Sequence, residues 1–203
     1  MTKIKICGLT REEDAARALA LGADMLGFIH VEASPRYLDP DRLKTLLATV
    51  KNPAVRRVVV VRNLDAEGLA HLRKTLDFED FQFHGDEPPD LVSAFGGYKV
   101  CHVAESGIEP NNWRAYGRPI MLDSQKNGRR GGTGETWDWP LLASVEGNAI
   151  VAGGLNPENV GALVARYRPW AVDVSSGIES AAGQKDHALM ARFISKVRSA
   201  AKP

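Results

Sequence analysis

An excess of charge of either sign is missing from this 203-residue chain, in which lysine and arginine total 26 against 25 acidic residues. Without a net field, the chain has no bulk electrostatic means of holding nucleic acid or an anionic membrane, and small ligands recognised by local groups fit it better. Cysteine is scarce as well. The two present, Cys7 and Cys101, build no disulfide framework in a chain this long and have no zinc-site spacing, which predicts a reducing compartment. No apolar run approaches the roughly 20 residues of a membrane span, and the N-terminus lacks a charged start, apolar stretch and small-residue cleavage site. Together these absences predict a cytoplasmic protein with no membrane or nucleic-acid partner. No low-complexity run or composition shift divides the sequence, and its length suits one domain, 1–203, with a sizeable core.

What is present is a rhythm. Short runs rich in Val, Ile, Leu or Phe recur eight times, at 3–7, 25–29, 55–61, 81–84, 98–102, 119–123, 148–152 and 170–174. Each is followed by a turn signal and an amphipathic stretch, the pattern of alternating strands and helices. Helix starts are marked by side chains able to satisfy first-turn amides: a capping box of Thr10 with Glu13, Asp39 ahead of Pro40, Asp65, and Asn156 ahead of Pro157. The fifth crossover contains Gly107, Pro110 and Gly117, so its helix is short at best. Such alternation demands a parallel sheet with right-handed crossovers, and eight units favour closure into an α/β (β/α)8 barrel over an open doubly wound sheet. At 203 residues it is a trimmed example of a fold that usually needs about 250.

In such a barrel every residue just after a strand lies on one rim, where ligands bind. Cys7, Asp123, Gly153, Gly154, Ser175, Ser176 and Gly177 all fall there. Glycines let a backbone approach an anion, and first-turn amides carry partial positive charge, so loops seven and eight read as a phosphate cradle. The stretch 124–136 is long beside the usual connection of about 4 to 6 residues. It reads as a lid, with Lys126, Arg129 and Arg130 facing an anion and Gly131, Gly132 and Gly134 as hinges or backbone contacts. Trp137 and Trp139 anchor its far end, Asp173 orients the phosphate loop or pairs with a buried donor, and His102 ends strand five.

The motifs then resemble those of a known family. KICGLT at 5–10, GF at 27–28 with SPRY at 34–37, QFHGDE at 82–87, LD at 122–123 with GGTG and WDW, AGGLNPENV at 152–160 and DVSSGIES at 173–180 are similar, in that order and along nearly the whole chain, to the phosphoribosylanthranilate isomerases. The resemblance implies a (β/α)8 barrel of tryptophan biosynthesis that performs an Amadori rearrangement on a small phosphosugar carrying anthranilate. It implies no cofactor, no metal and no obligate protein partner. Carried onto this sequence, it makes Cys7 the general base and Asp123 the general acid. Arg36 is the contact to the anthranilate end with His84 as its neighbour, and Gly132, Gly154, Ser176 and Gly177 are the phosphate binders. The sequence departs from the family pattern at Arg62, Phe83 and Glu135.

The chemistry requires two groups tuned in opposite senses, since a free aspartic acid is ionised and a free thiol protonated at pH 7. A partly apolar site is expected to keep a proton on Asp123, and amides of the following turn to favour a thiolate at Cys7. Rival readings are another phosphosugar barrel, an epimerase or an indole-glycerol-phosphate synthase, and a non-catalytic phosphosugar sensor. The epimerase needs paired histidines and carboxylates at strand ends, where only His84 and His102 stand. The synthase needs lysines there, whereas Lys99 sits at the start of its strand. The sensor would dispense with Cys7 or Asp123.

Overall fold

The computed structural model describes residues 1–104, 107–117, 119–126, 129–130, 139–145 and 148–200, with the backbone alone at 125, 126, 129 and 130. Eight parallel strands form the barrel: β1 Lys3–Ile6, β2 Met25–Ile29, β3 Arg56–Val61, β4 Asp80–Phe83, β5 Gly97–Ala104, β6 Ile120–Lys126, β7 Ala149–Val151 and β8 Ala171–Val174. Each pairs with its sequence neighbours, and β8 returns to β1 in the register Lys3↔Ala171 to Ile6↔Val174, which closes the sheet. All eight expected strands are found, within three residues at each end. Beyond the expected end of β6 the backbone continues extended and pairs antiparallel with Arg129–Arg130, so part of the predicted lid is a hairpin.

The pleat sorts the side chains into two compartments. Ile4 and Ile6 of β1, and Val172 and Val174 of β8, join the larger core between sheet and helices. The opposite parity fills the lumen with Met25, Val58, Tyr98, Val100, Met121, Ile150 and Ala171. Both compartments exclude water, and each fully buried Val, Leu or Phe contributes roughly 1.5–3 kcal/mol.

The crossovers after the first four strands are α-helices: α1 Glu12–Ala20, α2 Pro40–Thr49, α3 Ala66–Thr75 and α4 Pro89–Phe95. Asp39 accepts from the amides of Asp41 and Arg42, both at 3.0 Å, and Asp65 from that of Gly68 at 2.8 Å, as the sequence predicts. The capping box at Thr10 and Glu13 does not form. The Thr10 hydroxyl donates to the carbonyl of Gly183, and Glu13 pairs with Arg11. α1 instead opens with Glu12, Glu13 and Asp14 in its first turn, acids that favour the positive end of a helix.

Among the described residues the fifth crossover holds one short 3-10 helix, Trp113–Tyr116, and the sixth a longer one, Trp139–Val145. Asn156 caps the turn it opens, accepting from the amides of Glu158 and Asn159, and α5 (Val160–Tyr167) follows from there. α6, His187–Ala200, is fastened at the N-terminal ends of β1 and β2: its Arg198 donates to the carbonyl of Thr2 and pairs with Asp24. No helix among the described residues is long and apolar enough to cross a membrane.

Candidate active site

At the C-terminal end of the barrel a cavity of about 260 Å³ opens among side chains from six of the strands and the loops that follow them. Five of the eight site residues implied by the resemblance, Cys7, Arg36, His84, Asp123 and Ser176, line it together, with Asp173 and Ser175 beside them. Gly154 and Gly177 sit in the loops behind it, and Gly132 lies outside the described residues, as do Gly131, Gly134, Glu135 and Trp137. The side chains of Lys126, Arg129 and Arg130 are likewise outside the description.

Cys7 follows β1, with its amide donating to the carbonyl of Val174 at 2.9 Å. It is 4 % exposed. Gly27 on β2 backs it so closely that a methyl group there would lie 2.7 Å from Cys7 Sγ and 2.8 Å from Lys5 Nζ. Burial raises the thiol pKa, and the leading influence in the other direction is the ammonium of Lys5. This corrects the expectation for the free protein: Cys7 is held as a thiol, and the group favouring its thiolate is a lysine two residues earlier rather than the amides of the next turn.

Asp123 meets the expectation. Its carboxyl is buried midway along β6, which runs three residues past it, and receives one described hydrogen bond, from the amide of Ser124 at 2.7 Å. Burial, reinforced by the negative charge of Asp173, pushes its pKa up to about 7 against the pull of that amide and of Lys5. Gly153 packs against it: a side chain there would sit 2.8 Å from Asp123 Oδ1 and 2.6 Å from the Ser124 nitrogen, and its φ of +85° suits glycine.

Arg36 reaches the cavity with its fork already engaged. Nε donates to Glu179 Oε1 at 2.8 Å and Nη2 to Oε2 at 2.6 Å, while Lys185 Nζ pairs with the same carboxylate at 2.7 Å and donates to the Ser175 carbonyl. Gly8, at φ +72°, gives the arginine room, since a methyl group there would meet its Cδ at 2.5 Å. His84 is half-buried in the cavity wall, and desolvation together with the cations Arg62 and Lys99 lowers its pKa to about 4, so its ring is neutral at pH 7. Its ring meets that of His102 edge to face at 5.5 Å.

Loops seven and eight touch. A side chain on Gly177 would strike the carbonyl oxygen of Leu155 at 1.9 Å, which is why glycine follows the serine pair. Within loop seven Asn159 bonds back to Asn156 and Gly154, at 2.9 Å each, and fixes the left-handed turn of Gly153 and Gly154. Ser176 and Gly177 open the short turn Ser176–Ile178.

Sequence reading passes over Lys5, Glu179, Lys185 and Arg62 as site residues. Lys5 is fully buried in the lumen and pairs with Asp173 Oδ1 at 2.8 Å, so the donor expected for Asp173 is found. Glu179 stands inside the DVSSGIES motif, where a carboxylate after a phosphate-type loop is itself a signal for a cationic partner. Among the described residues no three His, Cys, Asp or Glu side chains converge as a metal site would require.

The family model described as N-(5'phosphoribosyl)anthranilate (PRA) isomerase matches residues 4–196. The chain is 42 % identical over 202 residues to an N-(5'-phosphoribosyl)anthranilate isomerase from Acidithiobacillus ferrooxidans, covering 98 % of each. It superposes on the crystal structure of phosphoribosyl anthranilate isomerase from Thermotoga maritima with a TM-score of 0.87 at 33 % identity, over 98 % of this chain and 100 % of that one. A phosphoribosyl anthranilate isomerase in complex with reduced 1-(o-carboxyphenylamino)-1-deoxyribulose 5-phosphate aligns with a TM-score of 0.82 at 31 % identity, over the same shares.

Proposed function

The chain belongs to the N-(5'-phosphoribosyl)anthranilate isomerase family, and from that premise we propose how its own residues carry the reaction, with Cys7 as general base and Asp123 as general acid. The activity is the Amadori rearrangement of N-(5-phosphoribosyl)anthranilate to 1-(2-carboxyphenylamino)-1-deoxyribulose 5-phosphate in tryptophan biosynthesis. Opening the furanose would leave an alkoxide unless a proton reaches the ring oxygen, and Asp123 supplies it. The iminium that forms acidifies the hydrogen on the neighbouring sugar carbon. Cys7, as thiolate, removes that hydrogen to give an enolamine, which tautomerises to the aminoketose.

The observation that carries this reading is the convergence of Cys7 and Asp123 on one cavity that Arg36 and Ser176 also line. Arg36 presents to the anthranilate carboxylate the N–H donors that Glu179 leaves unused, a fork suited to two oxygens. His84, neutral, serves as a hydrogen-bonding neighbour. Phosphate sits against the amides around Gly154, Ser176 and Gly177, with Gly132 added from beyond the described residues. The buried acid holds its proton to about pH 7, while the buried thiol titrates above its usual range. The productive pair, acid on Asp123 and thiolate on Cys7, is therefore the minor of the two singly protonated forms. On this account kcat/KM rises through a limb near pH 7 and falls only once the thiol itself titrates.

The test follows loss of substrate fluorescence after fresh phosphoribosylanthranilate is added to purified protein. Cys7→Ala and Asp123→Asn each reduce turnover about 10²–10⁴-fold with KM little changed. Near-normal turnover in either variant overturns the assignment. We further propose that residues 1–203 form one catalytic domain working in the cytoplasm on this small phosphosugar alone, without nucleic acid or an obligate protein partner.

A further inference from the structure

The lumen beneath Cys7 holds an ion pair that packing does not account for. Lys5 and Asp173 face each other across the closing seam at 2.8 Å, the lysine wholly buried and the carboxylate nearly so, among apolar lumen residues such as Val58, Val100, Met121 and Ile150. Replacing a buried ion pair by apolar residues of similar volume is often neutral or stabilising, so a fold has little reason of its own to keep one here.

Its placement gives a reason. One point beside Gly27 is 2.7 Å from Cys7 Sγ and 2.8 Å from Lys5 Nζ, so the thiol and the ammonium are near neighbours on the same side of β2. We propose that Lys5 is a positioning residue of the reaction: anchored by Asp173 below Cys7, its ammonium stabilises the negative charge that Cys7 must carry to act as base. This rests on the reading of Cys7 as that base. The other groups facing Cys7 are Asp173 from β8, Tyr98 from β5, Lys185 from the short strand Gln184–Lys185, Arg36 from the loop after β2 and Asp123 across the cavity. Of the charged groups acting on the thiol, Lys5 has the largest influence and Asp173 opposes it. Burial disfavours the charge on Lys5 itself, yet Asp173 and Cys7 outweigh it and hold the ammonium above the ordinary lysine range.

The experiment reads the thiol separately from catalysis. Iodoacetamide alkylation of Cys7 is followed across pH by mass spectrometry of the Cys7 peptide, so that Cys101 does not contribute, in the wild type, in Lys5→Met and in the double variant Lys5→Met/Asp173→Asn. The double variant leaves no unpaired buried charge and decides the matter if the single one fails to fold. The alkylation midpoint is expected to rise by at least one pH unit in Lys5→Met and by less, but still upward, in the double variant. Each unit lowers kcat about tenfold, because the thiolate fraction falls by that factor, while KM stays close to the wild-type value. A double-variant midpoint at or below the wild-type value overturns the proposal, as does a fall in kcat with an unmoved midpoint. If Cys7 is not the base at all, Cys7→Ala retains turnover whatever the alkylation profile, so the two failures are distinguishable.

Discussion

Two buried lysine–carboxylate pairs in this barrel look alike by distance and differ in everything around them. Lys99 and Glu87 meet at 2.8 Å behind the wall of β4 and β5, and Lys5 and Asp173 meet at 2.8 Å in the lumen. Around the first pair every acceptor is used. Glu87 takes the amide of Asn63 at 2.7 Å and that of Gly85 at 2.9 Å, Lys99 also donates to the Gly85 carbonyl, and the Tyr116 hydroxyl donates to the Glu87 carbonyl. That pair fastens loops three, four and five together, and so holds His84 in place. Around the second, the one described side-chain hydrogen bond of Asp173 is to Lys5, and its carboxylate lines the cavity beside a nucleophile. A charge pair whose bonding capacity is filled by backbone is a fastener. One left open beside a reactive atom tunes chemistry.

The sharpest way to break this distinction is Lys99→Met, which strands a buried carboxylate. It should cost about 3–5 kcal/mol of stability in denaturant unfolding and leave the alkylation midpoint of Cys7 where it is. A moved midpoint would mean that the outer pair also sets the thiol's charge. Asp123→Asn tests the opposite trade. A carboxyl whose folded pKa lies near 7, against an ordinary 3.8, favours folding less as pH rises between those values, because the unfolded chain releases its proton first. The amide removes that penalty, so the variant should be more stable than the wild type at pH 8, by at most about 4 kcal/mol. The gain should vanish below pH 4. Equal stability at both pH values would place Asp123 in contact with solvent and fault the account of its acidity.

A smaller effect sharpens the lumen side. Gly27→Ala forces a methyl group into the space shared by Cys7 and Lys5, costing about 1–3 kcal/mol and lowering kcat more than it raises KM. Smallest is Asp39→Ala, which removes a cap far from both pairs. It should cost about 1 kcal/mol and leave both activity and the alkylation profile unchanged.

The eight strands were legible because β-branched runs flanked by turn residues have few other fates in a chain this short of long helices. The rim residues followed from topology, since closure places every strand end on one face. What escaped the sequence was decided by distant partners. The Thr10 hydroxyl is claimed by Gly183, 173 residues away, a competitor that no local window contains. Lys5 was hidden by its own alternation: KIKI reads as isoleucines inward and lysines toward water. In β1 the isoleucines turn out to the helices and Lys5 turns into the lumen. Glu179 escaped for the same reason as Thr10, its partner Arg36 lying 143 residues earlier. The acidity of Asp123 could be anticipated from an apolar setting, but the thiol's environment could not, because it depends on which parity faces inward.

The seam between β1 and β8 also sets an order of events during synthesis. Lys5 and Cys7 leave the ribosome well before the carboxylate that balances Lys5, which follows it by 168 residues. Until the last strand zips into place the nucleophile stands in an unfinished half-cylinder, open to oxidants and to other nascent chains. Reactivity and protection are thus completed by a single late step, and a truncated product would carry the thiol without its shelter.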